Sequence, residues 1–325
     1  MKKILAVVVC CFLMVGLLTA CIDNDKPLSD YDYITTEDSE LNTLVMSEIR
    51  FDGSSMDAVK KQMISDVVSQ KDEETEDREP YELVVFNGNT VNGQNNGKLM
   101  KDAISFFDTL GVPYAINLGE LDVKGNTSKK DLMKMQMQSK NSIYKKAYIF
   151  DDSNYLVQVK SNSGKYVTSL MFMDSSSACS DEQIEWYKNT ITNLGYTYAD
   201  VDGNKVSTML FCSKALPFFA EKITDKEVTV WEGSDKLQKE VISNKSTKGV
   251  FVSHDYENYK NYISGEYSIR WHYTRTMYIP NDLDITSEEF KKIVENVGYT
   301  TMTLTSNSSF YPNNSKIDIF KYLNK

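Results

Sequence analysis

Histidine is almost missing from this sequence. His254 and His272 are the only two in 325 residues, which removes most imidazole-based metalloenzyme sites before any motif is read. A basic patch is missing as well: 36 Lys and Arg stand against 46 Asp and Glu, for a formal net charge of −10. Binding to a phosphate backbone needs clustered cations, so nucleic acid is not expected as a partner. No Pro- or Gly-rich stretch divides residues 41–325 and no internal repeat is visible, so one domain is expected there. An apolar fraction of 41% suits a water-soluble globular protein rather than a disordered or multi-span one.

The first forty residues are of another kind. Lys2 and Lys3 precede a stretch from 4 to 18 that is apolar apart from Gly16. It is too short to span a bilayer comfortably and suits the core of a signal peptide. It ends in Leu18-Thr19-Ala20-Cys21, which resembles the bacterial lipobox, where cleavage precedes the cysteine and the thiol is diacylated. The alternative is a chance cysteine at a plain cleavage site. The expectation is a signal peptide over 1–20 and a mature extracytoplasmic chain from Cys21, held on the outer face of a bacterial cell membrane by acyl chains, which give stable anchoring when two act together. Residues 22–40 hold Asp23, Asp25, Asp30, Asp32, Glu37, Asp38 and Glu40 with few aliphatics, so an acidic, solvated tether over 21–40 is expected. Cys179 and Cys212 are then the remaining thiols, and the sequence leaves a bridge between them open.

From 41 to 325 short apolar runs alternate with helical patterns. Leu44-Val45-Met46, Leu83-Val84-Val85-Phe86 and Val250-Phe251-Val252 read as strands covered on both faces. Between the first two, Met56, Val59, Met63 and Val67, with Ile64 and Val68, recur at helical spacing, up to an acidic loop from Asp72 to Glu79. Leu99, Ala103, Ile104, Phe107 and Leu110 mark a second helix, stopped at Gly111, and Pro113 to Ile116 returns as a strand. This βαβαβ opening is the signature of a layered α/β fold. Several strands are expected over 144–174, then a helix with Ser180 and Gln183 as a capping box and Ile184, Tyr187, Ile191 and Leu194 as its core stripe. Val206 to Phe211 is another strand, residues 266–279 are expected as antiparallel strands, and a last helix is expected from Thr286, with Glu289 as its capping partner, to Gly298.

Sites in open α/β sheets lie at the carboxyl ends of strands. The strand ends here read Ser47-Glu48-Ile49-Arg50, Asn87-Gly88-Asn89, Leu118-Gly119-Glu120-Leu121-Asp122, Cys212-Ser213-Lys214-Ala215-Leu216-Pro217 and Ser253-His254-Asp255-Tyr256. This ordered series resembles the calcineurin-like metallophosphoesterases, in particular their purple-acid-phosphatase-like branch, whose pattern is Asp-x-His, Gly-Asp, Gly-Asn-His-Asp, a His near a Pro, and Gly-His-x-His. Met171-Phe172-Met173-Asp174-Ser175 and Gln183-Ile184-Glu185-Trp186-Tyr187 resemble that branch's Leu-Asp-Ser strand and Gln-x-x-Trp-Tyr helix. The resemblance covers roughly residues 41–280 and implies an α/β four-layer sandwich, two mixed β-sheets flanked by helices.

In that family two metal ions about 3.5–4 Å apart clamp the phosphoryl oxygens, a bridging carboxylate neutralises them, and a histidine protonates the leaving group. Carried over residue by residue, the first Asp is Glu48 and the first His is Arg50, a permanent cation that cannot ligate metal. The bridging Asp is Asn89, the carboxamide ligand is Glu120, and the leaving-group His is Leu121, while Asp122 is kept. The His before Pro falls on Cys212 or Ser213. His254 is kept and the second His of that motif is Tyr256. Losing the acid alone costs about 10²–10⁴ in rate, and losing the bridge removes what holds two cations together.

The resemblance therefore implies a scaffold that has lost most of its ligands, with no catalytic residues, no metal and no cofactor expected, and with an Arg50 guanidinium paired with Glu48, Glu120 or Asp122 in place of metal. The expected function is a lipid-anchored protein with a binding or assembly role whose protein or small-molecule partner the sequence does not name. One alternative is a metal-dependent phosphoesterase with an altered site of Glu48, Asn89, Asp122 and His254, using Mn, Fe or Zn. Another is a solute- or glycan-binding lipoprotein using Tyr256, Tyr259, Tyr262, Tyr267 and Tyr273. His272 reads as part of a strand, Cys212 as a buried thiol, and the Asn-rich run from 87 to 96 as turns or a binding loop.

Overall fold

The computed structural model describes residues 31–323 apart from 38–39, 71–78, 146–152, 198–204, 226, 254–262, 265 and 306–311. In chain order the strands that open the fold are β1 (Asp32–Thr36), β2 (Glu40–Met46), β3 (Leu83–Asn87) and β4 (Tyr114–Asn117), with helices α1 (Met56–Val68) and α2 (Asn96–Phe107) between the last three. Helix α3 (Lys129–Gln138) leads to β5 (Tyr155–Ser161) and β6 (Tyr166–Met173). Then come α4 (Asp181–Thr197), β7 (Ser207–Cys212), α5 (Pro217–Lys222), α6 (Asp235–Asn244) and β8 (Thr247–Val252). The chain closes with β9 (Ile263–Ser264), β10 (Arg270–Tyr273), α7 (Glu288–Val294), β11 (Gly298–Thr305), β12 (Asn313–Lys316) and α8 (Phe320–Leu323).

Two mixed sheets result, flanked by helices. One is ordered β12-β11-β2-β3-β4, the other β1-β5-β6-β7-β8-β10-β9. In the first, β2, β3 and β4 are parallel because α1 and α2 cross between them, and β11 joins β2 antiparallel. The continuous apolar run of β3 is buried along its whole length, as a strand covered on both faces must be. Helix α2 lays Phe107 on Phe86 of β3, with ring centroids 3.7 Å apart, and the turn after it closes at Gly111 with φ 75°.

The core between the sheets is aromatic. Tyr155, Phe172, Phe211 and Phe251 are cross-strand neighbours on β5, β6, β7 and β8 and stack with centroids 4.6, 5.1 and 4.9 Å apart. The row ends on His272 of β10, 5.7 Å from Phe251. Tyr155 donates its hydroxyl to the Ile116 carbonyl of β4 at 2.8 Å, so the row faces the five-stranded sheet. Such rows bury large apolar area and fix the strand register.

Several expectations are corrected. Asp32–Thr36 lies inside the expected tether yet forms β1, pairing in parallel with β5: Ile34 and Thr36 alternate inward with Tyr33 and Thr35, and that period of two was masked by the surrounding acids. β10 is parallel to β8 and antiparallel only to the short β9; residues 266–268 are a 3-10 turn. In α1 the buried stripe passes through Lys60 rather than Val59, because the lysine has a partner at its tip. The helix expected as the last is α7, followed by α8; it is capped by Ser287, whose side chain accepts from the Phe290 N–H, one residue later than Thr286. The capping box of α4 is as expected: Ser180 N–H donates to Gln183 Oε1 at 3.1 Å and Gln183 N–H to Ser180 Oγ at 3.2 Å.

Candidate functional site

Polar residues sew the two sheets together where their strands end. Asn87, the last residue of β3, donates from Nδ2 to the Cys212 carbonyl of β7 at 3.2 Å, and Asn117 of β4 donates to Asn87 Oδ1 at 3.0 Å and to the Phe211 carbonyl at 3.2 Å. Ser253, after β8, donates to the Asn87 carbonyl at 2.8 Å. The approach is close: a Cβ on Gly88, which has φ 85°, would collide with Ser213. Only glycine fits both the left-handed backbone and that contact. The Asn-rich run does turn, with positive φ at Gly88 and Gly93, a turn over 94–95, and Asn92 and Asn95 exposed; the rest of it is built into the fold. Asn87, Asn89 and Asn96 are all fully buried, and Asn96 ties the Asp122 carbonyl and residue 127 to α2.

Past these ends, the loops after β2 and β3 run in step. Glu48 N–H donates to the Gly88 carbonyl, Arg50 N–H to that of Asn89, and Phe51 N–H to that of Thr90, at 3.1, 2.9 and 2.9 Å. This pairing is bought with left-handed backbone at three non-glycine residues, Glu48 (φ 55°), Arg50 (φ 53°) and Asn89 (φ 50°). Each such residue costs on the order of 1–2 kcal/mol, and strain of that kind collects at functional sites.

The strain brings three of the expected site residues together. Glu48, 1% exposed, accepts at Oε2 from Arg50 Nε (2.8 Å) and Nη2 (2.6 Å), and at Oε1 from Asn89 Nδ2 (2.7 Å). Asn89 Oδ1 in turn accepts from the Leu121 N–H at 2.8 Å. The Arg50 guanidinium lies over the Tyr278 ring, 4.5 Å from its centroid, and Lys60 Nζ donates to the Arg50 carbonyl at 2.8 Å. Burial lowers the Lys60 pKa, against the pull of Asp57, whose carboxylate is 3.7 Å away.

Asp122 is fully buried and accepts from Val91 N–H and Gly119 N–H, one at each oxygen, both at 2.8 Å. Burial pushes its carboxyl up to about 7, against those backbone donors. Glu120 stands apart from this core in role. Its carboxylate, 30% exposed, meets Lys124 Nζ at 2.5 Å and Lys214 Nζ at 2.8 Å, and hydrogen bonds from those two lysines hold its pKa down at about 2. Cys212 and Cys179 are free thiols. Cys212 is buried, and burial pushes both thiols far above the usual range, the opposite of what a nucleophile needs. Cys21, His254 and Tyr256 lie outside the described residues, as do Tyr259 and Tyr262.

Sequence reasoning missed Lys60, Lys124, Lys214 and Tyr278. Lys214 carried a signal, since it follows Ser213 at a strand end. Lys60 shows as a polar residue inside an apolar helical stripe. Tyr278 carried none: it reaches Arg50 because residues 274–277 cross the end of β2, with Met277 N–H donating to the Ser47 carbonyl at 2.7 Å. A separate polar cavity of about 360 Å³, bounded by Asn42, Tyr81, Thr301, Thr303 and Asn313, opens elsewhere, beside β2 and β11.

Among the described residues, the donor set does not fit a two-metal centre. The oxygens of Glu48, Asp122 and Asn89 that would face cations already face hydrogen-bond donors, and one of those donors is a guanidinium. Among the described residues no group of three or more His, Cys, Asp or Glu is placed to hold a metal ion. What the arrangement does is neutralise a buried carboxylate from within the chain.

No protein-family model matches this chain, and no curated protein matches it. Solved structures do. A dimetal phosphatase from Danio rerio superposes with a TM-score of 0.58 at 9% identity, over 84% of this chain and 95% of that one. GAP50, the anchor in the inner membrane complex of Plasmodium, superposes at 0.47 and 11% identity, over 88% and 94%. The purple acid phosphatase PPD1 from yellow lupin superposes at 0.42 and 11% identity, over 89% and 55%. At these identities the dimetal phosphatase likeness shows the fold alone: a metallophosphoesterase-like sandwich of two mixed sheets.

Proposed function

We propose that this chain is a lipid-anchored, extracytoplasmic protein that keeps a phosphoesterase scaffold for binding or assembly and does not hydrolyse phosphate esters. The observation that carries the reading is the closed cluster of Glu48, Arg50 and Asn89. A carboxylate needed for two cations is spent on a guanidinium and an amide N–H, and the position expected to bridge the metals carries no charge. The anchor rests on the lipobox-like stretch ending at Cys21.

Calorimetric titration of the purified mature chain with Mn²⁺, alongside hydrolysis of a generic aryl phosphodiester, tests the loss of activity. The expected result is no tight metal binding and no metal-dependent turnover. Two tightly held metal ions per chain, or Mn²⁺-dependent turnover lost in His254→Ala, would replace this reading with that of a hydrolase using Glu48, Asn89, Asp122 and His254. Radiolabelled palmitate incorporated into the wild type and absent from Cys21→Ser supports the anchor, and equal labelling overturns it. The third reading, an aromatic platform for glycans, loses Tyr273, which is fully buried on β10.

A further inference from the structure

We infer that Asn92 is a site of spontaneous covalent modification, where the folded chain converts an asparagine into a mixture of aspartate and isoaspartate. Three Asn-Gly pairs lie close together, at Asn87-Gly88, Asn92-Gly93 and Asn96-Gly97. The chemistry open to such a pair is intramolecular. The glycine amide nitrogen attacks the asparagine Cγ, an N–Cγ bond forms, the Cγ–Nδ2 bond breaks, and ammonia leaves with the proton from that amide. Water then opens the succinimide at one of its two carbonyls. Opening at Cγ gives aspartate, and opening at the main-chain carbonyl gives isoaspartate, whose backbone runs through Cβ and Cγ. One water is consumed and one ammonia released. The attack needs an open carboxamide, an unbound amide N–H and a peptide that can turn between the two residues, and glycine favours it because no Cβ crowds the nitrogen.

The fold withholds these conditions from two of the pairs. Asn87 is buried; its Nδ2 donates to the Cys212 carbonyl at 3.2 Å and its Oδ1 accepts from Asn117 Nδ2 at 3.0 Å. The Gly88 N–H donates to the Asn117 carbonyl at 2.9 Å. Asn96 is buried at the start of α2; its Nδ2 donates to the Asp122 carbonyl and its Oδ1 accepts from the Thr127 N–H, both at 2.8 Å. Gly97 packs so closely on Thr127 that an added Cβ would collide with it.

Asn92 meets every condition. Its side chain is exposed, and among the described residues neither its carboxamide nor the Gly93 N–H has a hydrogen-bond partner. The nearest main-chain anchors lie on either side of the peptide that must turn: the Asn92 N–H donates to the Phe51 carbonyl at 2.9 Å, and the Gln94 carbonyl accepts from the Asn126 N–H at 2.8 Å. The loop that changes is the one that holds Asp122 through the Val91 N–H. Conversion adds a negative charge to it, and isoaspartate also lengthens its main chain by one carbon.

Ageing of the full-length protein in mildly alkaline buffer made with H₂¹⁸O tests this, followed by trypsin digestion in ordinary water and electron-transfer fragmentation. Residues 79–98, between Arg78 and the bond after Lys98, form a single tryptic peptide that carries all three pairs, so Asn87 and Asn96 are internal controls. The ¹⁸O marks conversion that took place during ageing, before digestion. The expected result is labelled aspartate and isoaspartate at 92 in the folded protein, no label at 87 or 96, and label at all three positions when the chain is aged in guanidinium chloride. Asn92→Gln is expected to lose the label from the folded protein. An unlabelled residue 92 in the folded protein, or label at 87 or 96 gained as fast as at 92, overturns the proposal.

Discussion

Arg50 and Glu48 stand two residues apart on left-handed backbone, with φ of 53° and 55°, and the guanidinium closes on Glu48 Oε2 at 2.6 and 2.8 Å. Residues i and i+2 of an ordinary strand share a face but do not curl onto each other in this way. The two strained residues make the pair, and the pair satisfies a carboxylate that is 1% exposed.

Breaking that pair from one side leaves a buried charge. Arg50→Met is expected to lower stability by about 3–5 kcal/mol, the usual cost of stranding one member of a buried pair. The double variant Arg50→Met with Glu48→Gln removes the charge while leaving an acceptor for Asn89, and is expected to recover more than half of the loss. Urea midpoints of the wild type, Arg50→Met, Glu48→Gln and the double variant check it; additive losses would show that the two side chains are not coupled.

Two buried groups should give opposite pH dependences. Burial pushes Asp122 up from 3.8 to about 7, so the folded state binds the extra proton and stability falls as pH rises through that window. Burial holds His272 down from 6.5 to about 4, despite its hydrogen bond to Asn314, so stability is lost as pH falls from 6.5 towards 4. Each shift corresponds to roughly 3–4 kcal/mol, and over pH 4–6.5 the two slopes oppose. The wild type is expected to be nearly flat there. Asp122→Asn should gain stability with rising pH, and His272→Gln should lose it. Urea midpoints measured at pH 4.5, 5.5 and 6.5 decide the matter, and parallel profiles for the two variants would refute it.

Two glycines with positive φ should differ sharply. Gly111 has φ 75° and nothing within 4 Å of an added Cβ, so Gly111→Ala should cost only the left-handed backbone term of about 1–2 kcal/mol. Gly88 has φ 85° and an added Cβ would collide with Ser213, so Gly88→Ala pays the same term plus overpacking, about 2–5 kcal/mol in all. Thermal unfolding of the two variants compares them directly, and equal losses would mean that the sheets do not close as tightly as Gly88 and Ser213 indicate.

The opening from β2 to β4 was legible because its signals are local. The apolar run Leu83–Phe86 and the stripe through Ala103, Ile104 and Phe107 state their burial in adjacent residues, and Ser180 with Gln183 states a helix start. β1 was not legible, because its five residues gain their meaning from β5, far along the chain. The antiparallel reading of 266–279 fell short for the same reason: β10 is antiparallel to the short β9 just before it, but its longer pairing, with β8, is parallel.

At the site, the sequence alone determined which chemistry was scarce. Two histidines, an arginine at 50 and an uncharged asparagine at 89 are facts of composition and order, and they limit ligand chemistry whatever the fold. Tertiary structure alone decided which charges answer each other: Glu48 took Arg50 and Asn89, Glu120 took Lys124 and Lys214, and Asp122 took the backbone of Val91 and Gly119. Partner choice depends on distances of a few ångströms between separate strand ends, and those distances are set by left-handed turns and inter-sheet contacts that no local pattern encodes.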